Sequence, residues 1–239
     1  MKHLITVTTV TLGLALGAHT RAELIGQWTF NEGAGTTAAD SRQNQSATLH
    51  NGVKWAESGP DNRAVVMDGT SGCHIEVGRD VLYAPTVQIT LEVWVKPEVK
   101  PASGQECLIF GKDTGIYALT FYTDGNAYFY INSGGNHIKH ELPLGEYTHL
   151  VGTYDGALMR LYINGEEVAR KEFTEKIHVG NHPLLLGYGL STMGYQSQPN
   201  QEADTYSFCG SIDEARVYNH ALTEKEVSAN FKKGPEKGK

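Results

Sequence analysis

The chain of 239 residues holds only three cysteines and eight prolines, and its acidic side chains outnumber the basic ones, 27 to 20. Beyond its first 22 residues it has no long apolar run, so no membrane span of about 20 apolar residues is expected there. A formal charge of −7 disfavours nucleic acid and anionic lipid surfaces as partners. Cys73, Cys107 and Cys209 lie 34 and 102 residues apart, unlike the paired spacings of a zinc site. Three cysteines allow at most one internal disulfide. Cys73 with Cys209 is the preferred pair, since each sits at a strand start beside a glycine, and three reduced thiols are the alternative. The chain also lacks a glycine-rich nucleotide loop, a Gly-x-Ser-x-Gly elbow and the E-x-D-x-x-E strand that sets two carboxylates for glycoside hydrolysis.

The exception to the lack of apolar runs is at the start. Met1-Lys2-His3 leads into an apolar stretch from Leu4 to Ala18 and then Thr20-Arg21-Ala22. A basic start, a short apolar core and small residues before a cut form a secretory signal peptide, here residues 1–22. Its loss removes Lys2 and Arg21 and leaves 18 basic and 27 acidic side chains, a charge of −9. A secreted protein, extracellular or periplasmic, is expected, and export permits a disulfide.

Within residues 23–231, Gly, Asn, Asp and Pro recur between short runs rich in Val, Ile, Tyr, Phe and Thr. That spacing predicts one all-β sandwich rather than alternating strands and helices. Ile89 to Val95 alternates with period two, the mark of a strand with two different faces. Asp124-Gly125 and Asn164-Gly165 are hairpin turns. Thr223 and Glu226 have capping-box spacing and predict a short C-terminal helix. Tyr188 to Tyr206 is the longest stretch without period. Residues 232–239 read as a flexible tail.

The order of several motifs is specific. Gly26-Gln27-Trp28-Thr29-Phe30-Asn31-Glu32, Val65 to Gly69, Leu91 to Pro97, Tyr147 to Gly156, Leu161 to Glu166 and Phe208 to Val227 occur in turn. Together they resemble the laminin-G-like, concanavalin-A-like jelly-roll family of bacterial secreted proteins. Tyr147 stands where that family usually has Trp. The resemblance implies two antiparallel sheets packed as a jelly-roll sandwich with one concave sheet, and a module that binds carbohydrate or protein. It also implies one structural calcium ion, with Asn31, Asp40 and Asp213 as candidate ligands beside Glu32; the alternative is that Asp40 caps a turn.

A polysaccharide or glycoprotein partner calls for aromatic platforms beside planar polar groups. Tyr188, Tyr195 and Tyr206 with Gln196 and Gln198 in the aperiodic stretch are the candidates, joined by Tyr117 on a mid-chain strand. Strand tyrosines serve equally as half-buried sandwich residues. Chemistry has less support. Asp213 and Glu214 are adjacent and expected on opposite faces, and His137, His140, His149 and His178 with Tyr117 and Arg160 offer only the raw materials of a lyase. The expected role is a binding module without chemistry of its own. A small polysaccharide lyase or glycoside hydrolase on the concave face is the rival, and a structural partner module is a third possibility.

Overall fold

The computed structural model describes residues 23–57, 59, 63–132, 135–190 and 207–235. β1 (Leu24–Trp28), β2 (Thr37–Ala38), β3 (Ala47–His50), β4 (Lys54–Ala56), β5 (Ala64–Asp68) and β6 (His74–Gly78) come first. A 3-10 turn at Val81–Tyr83 precedes β7 (Ile89–Pro97), β8 (Glu106–Asp113), β9 (Tyr117–Tyr122), β10 (Asn126–Ile131) and β11 (His137–Glu141). β12 (Thr148–Tyr154), β13 (Leu158–Ile163), β14 (Glu166–Glu172), β15 (Leu184–Leu186), β16 (Gly189–Leu190) and β17 (Cys209–Tyr218) follow. One helix, α1 (Glu224–Lys233), closes the described chain.

The strands form two antiparallel sheets, a jelly-roll sandwich. The eight-stranded sheet runs β14-β13-β12-β7-β17-β5-β4, with β1 also on β17. The nine-stranded sheet runs β11-β10-β9-β8-β15-β6-β3-β2, with β16 also on β8. Between them lie fully buried Trp28, Phe30, Phe110, Phe121 and Phe129, and each such side chain contributes roughly 1.5–3 kcal/mol on leaving water. The hairpin turns fall where the sequence places them: Asn164 and Gly165 both take positive φ, +51° and +81°, as a tight turn between β13 and β14 requires. Gly210 allows β17 to approach β7; a Cβ there would stand 2.2 Å from the Lys96 carbonyl oxygen.

Three expectations need correction. Cys73, Cys107 and Cys209 are all free thiols, so the expected bridge is not formed; burial pushes the Cys73 thiol up, which suits a small apolar residue. Lys232 and Lys233, expected in the tail, belong to α1, which ends on Gly234. The opposite-face reading of Asp213 and Glu214 also fails. A bulge between Asp213 and Arg216, with Glu214 at φ +50°, breaks the alternation that the reading assumes. Asp213 stands opposite outward-facing Trp94, and Glu214 bonds outward-facing Arg216.

Candidate functional site

A sandwich has two outer faces, and α1 covers part of one. The capping box of Thr223 and Glu226 sets the helix start, with Thr223 accepting from the Glu226 N–H and Glu226 from the Thr223 N–H. Val227 then packs with Leu222 and, on the eight-stranded sheet, with Val151, Tyr162 and Tyr218. Phe231 stacks on Trp94 and His149, with ring centroids 5.8 Å apart in each case. Beneath the helix, Glu92 is fully buried. Its Oε1 accepts from His149 Nε2 at 3.0 Å and Arg216 Nη1 at 2.9 Å, and its Oε2 from Tyr218 Oη at 3.0 Å and Asn230 Nδ2 at 2.9 Å. With both its oxygens taken, Glu92 ties the helix to the sheet and offers a ligand nothing.

The outer face of the nine-stranded sheet is different. Its register sets Thr48, Glu76, Leu185, Gly111, Ala118, Tyr130 and His137 in one row across seven strands. Leu108, Thr120, Tyr128 and Lys139 form the next. At one end Tyr128 and Tyr130 stack at 5.7 Å, with His137 against both. Lys139 donates to Asp124 and to the Tyr128 hydroxyl, both at 2.9 Å. These two tyrosines are each 7 % exposed, so they present edges to solvent rather than faces. Glu106 and Tyr122 pair one row further on, and burial pushes the Glu106 carboxyl up against the opposing hydrogen bond from Thr120.

At the other end lies a cavity of about 240 Å³. Half-buried Tyr188 sets its ring edge-on to His74 at 5.3 Å, and His74 stacks on His50 at 4.5 Å and 12°. His74 Nδ1 donates to the Gly72 carbonyl at 2.7 Å, which fixes the ring and leaves Nε2 as its acceptor. Burial pulls the His74 imidazole down from its usual value, so it is neutral near pH 7. Arg79 and Lys112 also line the cavity.

Lys112 owes its place to a second irregularity. The register of β8 slips between Gly111 and Asp113, and a bulge of this kind re-aims a side chain. Without it, alternation from outward Gly111 would turn Lys112 into the core. Gly111 must be glycine: its φ is +152°, and a Cβ would lie 2.6 Å from the Tyr117 carbonyl oxygen.

The nitrogens of His50 and His74 and a carboxylate oxygen of Glu76 lie within 4.8 Å of one another, the one cluster of metal-ligand type among the described residues. Two cations, Arg79 and Lys112, share its cavity. The residues expected to hold calcium are placed otherwise. Asp40 Oδ1 accepts the N–H groups of Gln27 and Arg42, and Oδ2 those of Asn44 and Gln45. It caps a turn, and its oxygens are directed at backbone rather than toward an ion. Asp40 bridges one edge of β1 at Trp28, whereas β17, which carries Asp213, lies on the other edge. Asn31 meets Arg63 through its backbone carbonyl. These three do not fit one calcium ion.

Of the expected ligand-binding residues, Tyr188 lies in the cavity wall. Tyr117 is fully buried in the core, where its hydroxyl donates to the Tyr83 carbonyl at 2.7 Å, so it cannot face a ligand. Tyr195, Gln196, Gln198 and Tyr206 lie outside the described residues. The cavity residues His50, His74, Glu76, Arg79 and Lys112 were not expected. For two of them a signal existed: His74-Ile75-Glu76-Val77 alternates, with polar side chains on one face.

Comparison with known proteins fits this architecture. The family model described as the concanavalin A-like lectin/glucanases superfamily matches residues 68–228. Pappalysin-1 of Mus musculus is 27 % identical over 199 residues, and the match spans 73 % of this chain but only 11 % of that protein. Domain 4 of AbnA, an extracellular GH43 arabinanase of Geobacillus stearothermophilus solved with arabinotriose, superposes with a TM-score of 0.65 at 22 % identity, covering 87 % of this chain and 98 % of that domain. The binding domain of Paraclostridial Mosquitocidal Protein 1 gives 0.64 at 17 % identity, over 87 % and 51 % of the two chains. Likeness at these identities speaks to fold alone. The family match covers most of the chain, and the chain therefore belongs to the concanavalin A-like lectin/glucanase superfamily.

Proposed function

We propose that the protein is an exported saccharide-binding module whose site is the cavity on the outer face of the nine-stranded sheet. The observation that carries this is the cavity's wall: a ring edge from Tyr188 and stacked imidazoles from His74 and His50 border polar and cationic groups. A mixed apolar and polar lining is what a sugar ring needs, with one hydrophobic face and a rim of hydroxyls. The volume of about 240 Å³ falls below the roughly 300–1,000 Å³ of sites that enclose a drug-sized ligand, so it suits one sugar residue of a longer chain. The glycan-bound structural neighbour supports the same class of ligand. The apolar segment at residues 4–18 supports export.

Titration calorimetry against an oligosaccharide panel, read beside a product assay, tests this. Tyr188→Ala is expected to weaken saccharide binding about tenfold, as removal of a buried aromatic anchor commonly does. Tyr117→Phe is expected to cost about 1 kcal/mol of stability through its lost hydrogen bond and to leave affinity unchanged. Equal affinity in wild type and Tyr188→Ala would place the site elsewhere. New reducing ends or unsaturated products would instead favour chemistry on this face, for which Glu106, with its raised carboxyl, is the side chain to replace first.

A further inference from the structure

A lysine ammonium rarely lies buried without a partner, because leaving water costs a charged group several kcal/mol unless it is paired. Lys112 is 5 % exposed, and no hydrogen bond or ion pair reaches it among the described residues. Burial pulls the ammonium down from its usual value, against the attraction of Asp80. Asp80 itself accepts from the Leu82 N–H at 2.8 Å. The bulge after Gly111 aims this lysine at the cavity. Arg79 stands on the same wall, 42 % exposed; its Nε donates to the Asn181 carbonyl at 3.1 Å, and its Nη1 lies 3.6 Å from Glu76. In a chain with a net charge of −7, two cations and three imidazoles (His50, His74 and His182) converge on one cavity.

We propose, resting on the saccharide role above, that the cavity selects a sugar bearing an anionic substituent, a carboxylate or a sulfate, which Lys112 receives as its missing partner. Arg79 meets the same group from the rim, and the ring edge of Tyr188 borders the sugar's apolar face. The unpartnered lysine is then a binding group held ready at a cost in stability, as functional sites commonly are.

The test uses matched pairs of oligosaccharides: galacturonate trimers and their methyl esters, glucuronate-bearing and glucose-bearing chains, and sulfated and unsulfated galactose trimers. Calorimetry is run in chelator. The acidic member of at least one pair is expected to bind roughly tenfold to a hundredfold tighter than its neutral counterpart, the effect of one or two hydrogen bonds to a charged group. The pair with the largest ratio identifies the substituent. Lys112→Met should bring that ratio close to one and raise the melting temperature of the free protein, since it removes a largely buried charge that no described residue pairs. Arg79→Gln, at an exposed position, should lower the ratio in part. Equal binding of acidic and neutral members overturns this inference and leaves the saccharide role standing. Failure of every saccharide to bind overturns that role itself. A preference present only without chelator assigns anion recognition to an ion on the His50–His74–Glu76 cluster and overturns the role given to Lys112.

Discussion

Replacing Glu92 with alanine is expected to lower the unfolding free energy by about 3–5 kcal/mol, the usual consequence of breaking a buried ion pair from one side. In thermal unfolding that is a fall of roughly 6–20 °C for a chain of this size. The reason is what stays behind. Arg216 Nη1, His149 Nε2, Tyr218 Oη and Asn230 Nδ2 all donate to the one carboxylate, and Arg216 is only 5 % exposed. Glu214 still pairs with Arg216 through Nη2, so the arginine keeps half of its fork while His149, Tyr218 and Asn230 lose the carboxylate they donate to. Glu92→Gln should recover only part of the loss, because its amide nitrogen would face donors where an oxygen stood. Adding Arg216→Met to Glu92→Met should not restore stability as a well-packed apolar replacement often does, since buried Glu214 then loses the Arg216 guanidinium. If the single alanine variant melts within 2 °C of the wild type, the network does not hold α1 to the sheet.

The same carboxylate sets an acid limit. Burial alone would push Glu92 up, but the bonds from His149, Arg216 and Asn230 outweigh it and hold the group at about 2, against 4.5 for an ordinary glutamate. A depressed folded value contributes stability that is fully present above about pH 4.5 and fades as pH falls through about 2. The gap corresponds to about 3 kcal/mol. Wild type should therefore lose stability steeply between pH 4.5 and 2, and Glu92→Gln should follow a flatter profile over that window. Parallel profiles would remove Glu92 from the account.

The parts of this protein legible in its sequence are those governed by strand alternation and turn chemistry. Asp124-Gly125 and Asn164-Gly165 mark hairpins because backbone sterics leave few alternatives. Tyr117 could have been placed correctly by the same rule: in Tyr117-Ala118-Leu119-Thr120-Phe121-Tyr122 it shares a face with Leu119 and Phe121, which both belong to the core. The fate of Lys112 and of Asp213-Glu214 was not legible, since each depends on a bulge, and one extra residue reverses every assignment beyond it. The cavity was hidden for another reason. It joins β3, β6, β8 and β15, elements separated by up to 138 residues from His50 to Tyr188, and only the strand order brings them together. Nor could the sequence show that the outer face of the eight-stranded sheet buries the Glu92 carboxylate among four donors, because that follows from where α1 docks.

Asp40 provides the second large effect, and it separates a turn cap from a metal ligand. Asp40→Ala withdraws the acceptor from four backbone N–H groups, those of Gln27, Arg42, Asn44 and Gln45, at 2.8–3.3 Å. Bonds to a charged acceptor are worth about 1.5–3 kcal/mol each when buried, but water reaches several of these donors once the side chain is gone. The Gln27 N–H, on β1, stays buried and bears most of the loss. A net cost of about 3 kcal/mol is expected, roughly 6–12 °C in melting temperature. Asp40→Asn should come close to it, because each oxygen accepts two N–H groups and an amide nitrogen can accept none. Chelator is expected to change neither the wild type nor either variant. A calcium ligand would behave in the opposite way: chelation would lower the melting temperature of the wild type and leave the Asp40 variants, already without the ion, where they were. Melting curves of the three proteins with and without chelator decide between the two, because a carboxylate whose lone pairs are taken by four N–H groups has none left for an ion.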